Sequence, residues 1–457
     1  MIPAADLVDQ VLALSVADHA IVIVTDVSEA SLRWANSSMT TNGSSAYRRW
    51  TVLSFMDKPD GTSVGVVNSA SADAGDIPDL VRASEEAARD AAPAKDAMPL
   101  LGGHGDESDW SAPAESTAIE VFSTFTPTLA QQFSGQDRLF GFAHHEVHTT
   151  WLGSSTGLRR RWVQPTGSIE INGKRDYGSH TTSAWVGAGT PDFTDLDVNA
   201  LLADLDTRLG WGAVQRELPA GRYQTILPPS AIGDLLIYMM WSMEGRGAEE
   251  GHTAFARQGG TRIGEHLTDI PLTLASDPHA RGLEYAPFVT ATVSSDLVSV
   301  FDNGMPAERA EWIRDGVINA LAYPRAHAHE FGATPTVPGE NLLLTGGSKA
   351  TLDEMVSKTE RGLLLTCLWY IREVDPASLL LTGLTRDGVY LIEDGAVTCA
   401  VNNFRFNESP IDLVRRITEA GQTERTLPRE WKDWFNRTAM PPVRIPDFHM
   451  SSVSKAT

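Results

Sequence analysis

The chain has 457 residues, 42% hydrophobic and 21% charged, with 59 acidic against 37 basic side chains and a formal net charge of −22. That length allows two or three domains with cores of their own, and the composition excludes a mainly disordered chain. A strongly acidic field repels polyanions, so no nucleic-acid partner is expected.

The longest apolar runs, AIVIVTDV from Ala20 and LLLTCLWYI from Leu363, are too short to cross a bilayer, and no secretory signal pattern opens the chain. No membrane partner and a cytoplasmic location are therefore expected. Leu7, Val8, Val11, Leu12 and Leu14 predict an amphipathic helix from Ala4 to Val16, with AIVIVTDV following as a strand. Pro59-Asp60-Gly61 marks a turn between two alternating apolar runs, and Ile77–Ala91 reads as a second helix. These elements make an N-terminal α/β domain over residues 1–95. Residues 92–115, rich in Ala, Pro, Gly and Asp, read as a linker, in which His104, Asp106 and Glu107 are solvated polar groups.

A strand-rich middle domain is expected over 115–220. Alternation from Phe140 to Thr150 puts His144, Glu146 and His148 on one strand face, with His145 and Val147 on the other. Three donors at i, i+2, i+4 can reach one zinc ion, so these are weak candidates for a metal site, although polar strand faces often carry such residues without a metal. Arg159, Arg160 and Arg161 read as a solvated strand edge or a partner-facing spot. Leu196–Leu209 is helical in pattern.

From Leu227 to His266 lies the stretch that organises the rest. Ser230 is placed to cap a helix, and Ile232, Leu235, Leu236, Met239, Met240 and Met243 recur at helical spacing as one buried stripe. A glycine-rich exit follows at Gly245 and Gly247. Beyond it, Asn303-Gly304, Asp315-Gly316, Asp387-Gly388 and Asp394-Gly395 are hairpin-grade turn signals and predict a C-terminal β-rich domain over 221–449. His327 and His329 read as surface or helix-end residues, and Cys367 and Cys399 as buried thiols. The fold class is α+β: an N-terminal α/β domain with a strand-rich middle region, then a largely antiparallel β domain with one central helix.

This order resembles the TldD/TldE (PmbA, modulator of gyrase) family over nearly the whole chain, from about Leu7 to Phe448. Arg33-Trp34-Ala35-Asn36 is similar to the family's "RxANN". Segments at Gly260–Glu265, Ser276–Pro278, Asp302–Pro306, Arg314–Gly332, Pro338–Gly347, Gly362–Thr366 and Thr382–Val401 are similar to the C-terminal series. In the family's TldD subunit the apolar helix runs into HExxGHGxE, whose two His bind zinc and whose Glu activates water. Here the stretch reads WSMEGRGAE. Trp241 and Arg246 stand at the His positions and Ser242 at the Glu position, with Gly245, Gly247 and Glu249 kept. Indole and guanidinium offer zinc no lone pair, and an alcohol is barely ionised near neutral pH. The family's third ligand, a Cys near the C-terminus, has no counterpart, because residues 421–457 contain no Cys.

The resemblance thus implies no catalytic residues at the degenerate positions Trp241, Ser242 and Arg246, and no cofactor in this chain, with zinc in a TldD-like partner. It implies a TldE-like, non-catalytic subunit of a heteromeric zinc metalloprotease acting on unfolded peptides. The alternatives are a metalloenzyme in its own right with its metal relocated to His144, Glu146 and His148, or a stand-alone binding or modulator protein. Trp241 and Arg246 are expected to fill the vacated zinc pocket by packing and by a salt bridge to Glu249 or Glu250.

Overall fold

Val, Ile and Leu fill both faces of the first long strand, and the reason is visible in the computed structural model, which describes residues 2–71, 73–103 and 109–454. Strand β1 (His19–Ala35) lies at the middle of an antiparallel six-stranded sheet with β2 (Ser38–Lys58), β3 (Gly61–Ser69), β4 (Arg138–Ser154), β5 (Arg159–Asp176) and β6 (Thr181–Thr190), in the order β3-β2-β1-β4-β5-β6. β1 and β4 pair from Ile21↔Ser154 to Trp34↔Gly141, so residues of the 1–95 and 115–220 segments share one sheet.

One face of this sheet is covered by helices. Val22 and Val24 pack on α1 (Ala4–Leu14) and α2 (Ile77–Asp90) through Leu7, Val8, Val11, Ile77 and Val81. Ala30, Leu32 and Trp34 pack on α3 (Thr126–Gln132) and α4 (Val198–Trp211) through Leu129, Leu205 and Leu209. Helix α2 presses so closely on β3 that a Cβ at Gly65 would stand 2.0 Å from the Ser84 carbonyl oxygen. The opposite face meets the C-terminal half, where Ile21 and Ile23 contact Phe288, Val289 and Phe301. A strand buried on both faces needs apolar residues on both, hence the unbroken AIVIV run.

Residues 92–101 are irregular, as expected, yet they are held in place. Met98 and Leu100 pack into the interface just described. The Ser299 hydroxyl donates to Asp96 (2.7 Å) and Arg325 Nη2 donates to the Pro99 carbonyl (3.0 Å). His104, Asp106 and Glu107 lie outside the described residues.

Helix α5 (Pro229–Trp241) fills the centre of the C-terminal half, between two sheets, and α6 (Gly245–Glu249) follows it. The larger sheet has ten strands. Its main path runs through Leu368–Asp375, Leu380–Thr385, Phe404–Glu408, Val443–Val453, Gly221–Leu227, Arg361–Leu365, Val389–Glu393, Ala396–Val401 and Gln215–Arg216. The smaller one has six, with Thr273–Ser276 and Leu342–Thr345 at its middle. Short helices α7 (Arg325–Phe331), α8 (Leu352–Ser357) and α9 (Pro410–Arg416) pack around them. α8 opens with a reciprocal capping box between Thr351 and Glu354.

Ile232, Leu235, Leu236, Met239, Met240 and Met243 are all 0–1% exposed in one core cluster. Ser230 does not cap α5: Pro228 is the capping residue and Ser230 sits in the first turn, its hydroxyl 3.4 Å from the Thr366 carbonyl. Of the four turn signals, Asp315-Gly316 and Asp394-Gly395 close hairpins, with both residues of each pair at positive φ. Asp387-Gly388 instead joins Leu380–Thr385 to Val389–Glu393, strands that do not pair with each other. Asn303-Gly304 follows a 3-10 turn at Val300–Asp302. Cys367 and Cys399 are buried free thiols, and burial pushes Cys367 up to about 12. Among the described residues, no helix is long and apolar enough to cross a membrane.

An acid-sensitive tie joins α9 to the loop after α6. Glu265 accepts from Arg262 Nε (2.7 Å) and Arg415, and these bonds, Arg262 first, hold its carboxyl down at about 2 from an ordinary 4.5. A depressed carboxyl contributes stability above its unfolded pKa, and that contribution disappears as pH falls through the folded value. Wild-type protein should therefore lose stability between pH 4.5 and 2 relative to Glu265→Gln, checked by urea midpoints across that range. The effect will be modest, because the side chain is one-third exposed and solvent screens it.

Candidate functional site

Helix α5 ends at Trp241, and Ser242 caps it with φ −94° and ψ 0°. The chain then extends, Glu244 pairs with Ala322 in a parallel bridge, and α6 restarts at Gly245. This break supplies the local distortion that the spacing of Trp241 and Arg246 requires, since an unbroken helix would place positions five apart about 140° from each other. Gly245 is demanded by packing: a Cβ there would sit 2.3 Å from the Tyr323 ring.

Trp241 and Arg246 engage different neighbours. Trp241 packs edge-on against Trp431 (5.0 Å between centroids) and Phe435 (6.2 Å), with Tyr238 beside it. Arg246 donates to Glu250 (2.9 Å) and to Glu330 of α7, and lies over the Phe331 ring at 5.4 Å. Glu249 does not take Arg246; its carboxylate accepts from the Tyr323 hydroxyl (3.0 Å). The Ser242 hydroxyl donates back to the Tyr238 carbonyl (3.0 Å), so it is an ordinary helix-end serine. These side chains do not make a zinc site, because indole, alcohol and paired guanidinium supply no donor set.

Three acidic groups near this helix were not legible in the sequence. Asp234 sits within the apolar stripe, fully buried, and burial pushes its carboxyl well above the ordinary range. One of its oxygens accepts from the Glu430 backbone N–H (2.9 Å), and the other has no partner among the described residues. Glu430 in turn accepts from the backbone N–H groups of Tyr370 (2.9 Å) and Ile371 (3.0 Å), occupying the open edge of Leu368–Asp375. Glu244, half-buried at the helix break, is raised by burial first and then by the charges of Asp296 and Glu373.

His327 and His329 lie on the short helix α7; His329 is exposed, whereas His327 is buried with its Nδ1 unpartnered among the described residues, so of its two expected placements, surface or helix end, the surface one does not hold. The Arg159–Arg161 run is not a free basic patch. Arg159 pairs with Asp9 (2.8 Å), while Arg161 is buried, pairs with Asp109 (2.5 Å) and lies over Trp151.

On the sheet face turned toward the C-terminal half, His144, Glu146 and His148 line up on β4 as their alternation predicts. The donor atoms that converge are Glu29, His144 and Glu146, all half-buried and within 4.8 Å of one another. His148 instead places Nε2 at 3.1 Å from Glu146 Oε2. Burial opposes ionisation of Glu146, but its hydrogen bond and charge contact with His148, together with His144 and Arg437, outweigh burial and hold the carboxyl below its usual range. His148 also lines a cleft of about 670 Å³ between this sheet and residues 286–292, whose walls include Thr25, Arg49, Thr150, Phe288 and Glu340.

The comparisons with known proteins fall on the same architecture. TldE from Thermococcus kodakarensis superposes with a TM-score of 0.78 at 15% identity, covering 98% of this chain and 99% of that one. A candidate modulator of DNA gyrase from Bacteroides thetaiotaomicron gives 0.78 at 15% identity, covering 98% of each chain. One from Thermotoga maritima gives 0.74 at 13%, covering 97% of this chain and 99% of that one. At such identities these likenesses concern the fold. No curated protein sequence matches the chain. The sequence profile described as the PmbA/TldA metallopeptidase C-terminal domain matches residues 220–452, which contain α5, α6, the smaller C-terminal sheet and all but the Gln215–Arg216 edge of the larger one, apart from the last residue of Val443–Val453, and the chain therefore belongs to the TldD/TldE/PmbA family.

Proposed function

We propose that this chain is a TldE-like, non-catalytic subunit of a heteromeric TldD/TldE zinc metalloprotease that processes unfolded peptides. The observation that carries the reading is the exit of α5. In this family the chemistry resides in a helix ending in zinc ligands, and here that end carries Trp241 in an aromatic cluster and Arg246 tied to two glutamates. No step of hydrolysis is assigned to these residues. The cleft between the sheet and residues 286–292 would admit an extended chain, and bonding to its backbone would make recognition independent of sequence.

The reading predicts that a TldD-like chain carrying HExxxH, co-expressed with this one, elutes with it as one complex that cleaves an unfolded peptide. This chain alone would leave the peptide intact. Two separate elution peaks, or cleavage by this chain alone, would count against it.

A further inference from the structure

We infer that Glu29, His144 and Glu146 form a binding site for a divalent transition-metal cation, separate from the exit of α5 and not required by the function proposed above. The first ground is register. Glu29 and Glu146 are direct cross-strand partners on the same face of β1 and β4, with both side chains half-buried. Like charges directly opposite each other destabilise a sheet, and partial burial sharpens the repulsion. Among the described residues neither carboxylate forms an ion pair with a lysine or arginine; Glu146 has only His148. Arg437, the nearby guanidinium, donates to Thr166 and pairs with Glu340 at 3.5 Å. The pair thus has no lysine or arginine ion-pair partner of its own among the described residues.

The second ground is the state of the donors. His144 has no hydrogen-bond partner among the described residues, and its ring is stacked on Phe142 (5.7 Å, 14° between planes). That leaves an imidazole of fixed plane with an uncommitted lone pair beside two carboxylates. Glu29 is held by Tyr47 Oη (3.0 Å to Oε1) and Ser45 Oγ (3.1 Å to Oε2), and Glu146 by His148 (3.1 Å). Outer hydrogen bonds of this kind orient metal-binding carboxylates. One imidazole with two carboxylates selects first-row transition cations over calcium or magnesium, which prefer oxygen alone. Three protein donors leave a coordination position for water or a ligand, and His148 connects the group to the cleft.

The test is a Co²⁺ titration of the full-length, chelator-stripped chain, followed by visible absorption, with Zn²⁺ as competitor. One Co²⁺ per chain, displaced by Zn²⁺, is expected, with no saturable uptake in His144→Ala. Tyr47→Phe removes only an outer hydrogen bond at an exposed side chain and should fold normally, yet bind about 10-fold more weakly. His327→Ala, far from the group in sequence and on α7, should bind as wild type. Absence of saturable uptake in the wild-type chain, or uptake unchanged in both His144→Ala and Tyr47→Phe, would overturn the assignment. The result is independent of any partner, so it can fail without touching the subunit reading.

Discussion

Replacing Asp302 with alanine should cost about 3–5 kcal/mol of stability, among the largest effects of any single substitution in this chain. The Asp302 carboxylate is fully buried and accepts from Arg325 Nε (2.7 Å) and from the Arg325 backbone N–H (3.0 Å) at the start of α7. Arg325 also donates to the carbonyls of Phe301 and Pro99, so the pair fixes both the start of α7 and the 92–101 segment. Removing the carboxylate strands a largely buried guanidinium, which is the costly way to break such a pair. Removing both partners in Asp302→Leu/Arg325→Met should recover part of the loss, because the desolvation cost goes with the charges. Urea unfolding midpoints at constant slope would measure both variants.

Trp312→Ala should cost a similar 3–5 kcal/mol for a different reason. Trp312 is 0% exposed in the cluster that contains α5, and its indole N–H donates to the Ser276 hydroxyl (3.0 Å), which itself donates to the Asn341 carbonyl (2.7 Å). Alanine opens a ring-sized cavity at strand Ala310–Arg314 of the smaller sheet, within the same core cluster as α5. Trp312→Phe keeps most of the packing and loses one hydrogen bond, so it should cost only about 1 kcal/mol. If the two variants were equally damaging, the hydrogen bond rather than the packing would be the dominant contribution.

What could be read from the sequence is what is local in it. The stripe from Ile232 to Met243, the helix opening at Ala4 and the Asp315-Gly316 and Asp394-Gly395 hairpins depend on neighbouring residues, and the chain states them directly. Asp387-Gly388 has the same turn chemistry, yet leads to a strand elsewhere in the sheet, because a turn says nothing of which strand lies beyond it. Alternation placed His144 and Glu146 on one face, but Glu29 entered only through a register set 115 to 117 residues away. Arg246 found Glu250 one helical turn on, as its spacing allows, and Glu330 of α7, which its spacing does not reveal. His327 lies in the first turn of α7, in keeping with the helix-end half of its reading, but its burial was not visible in the local pattern.

The proposed subunit role requires a chemically silent exit at α5 and a second chain for catalysis. The most direct measurement is cleavage of an unfolded peptide, followed by mass spectrometry, for this chain alone, for a TldD-like chain carrying HExxxH, and for the two co-purified. The subunit role predicts no cleavage by this chain, cleavage by the complex, and loss of that cleavage when the partner's HExxxH glutamate is replaced by glutamine. Cleavage by this chain alone, or by a complex whose partner lacks that glutamate, would contradict it.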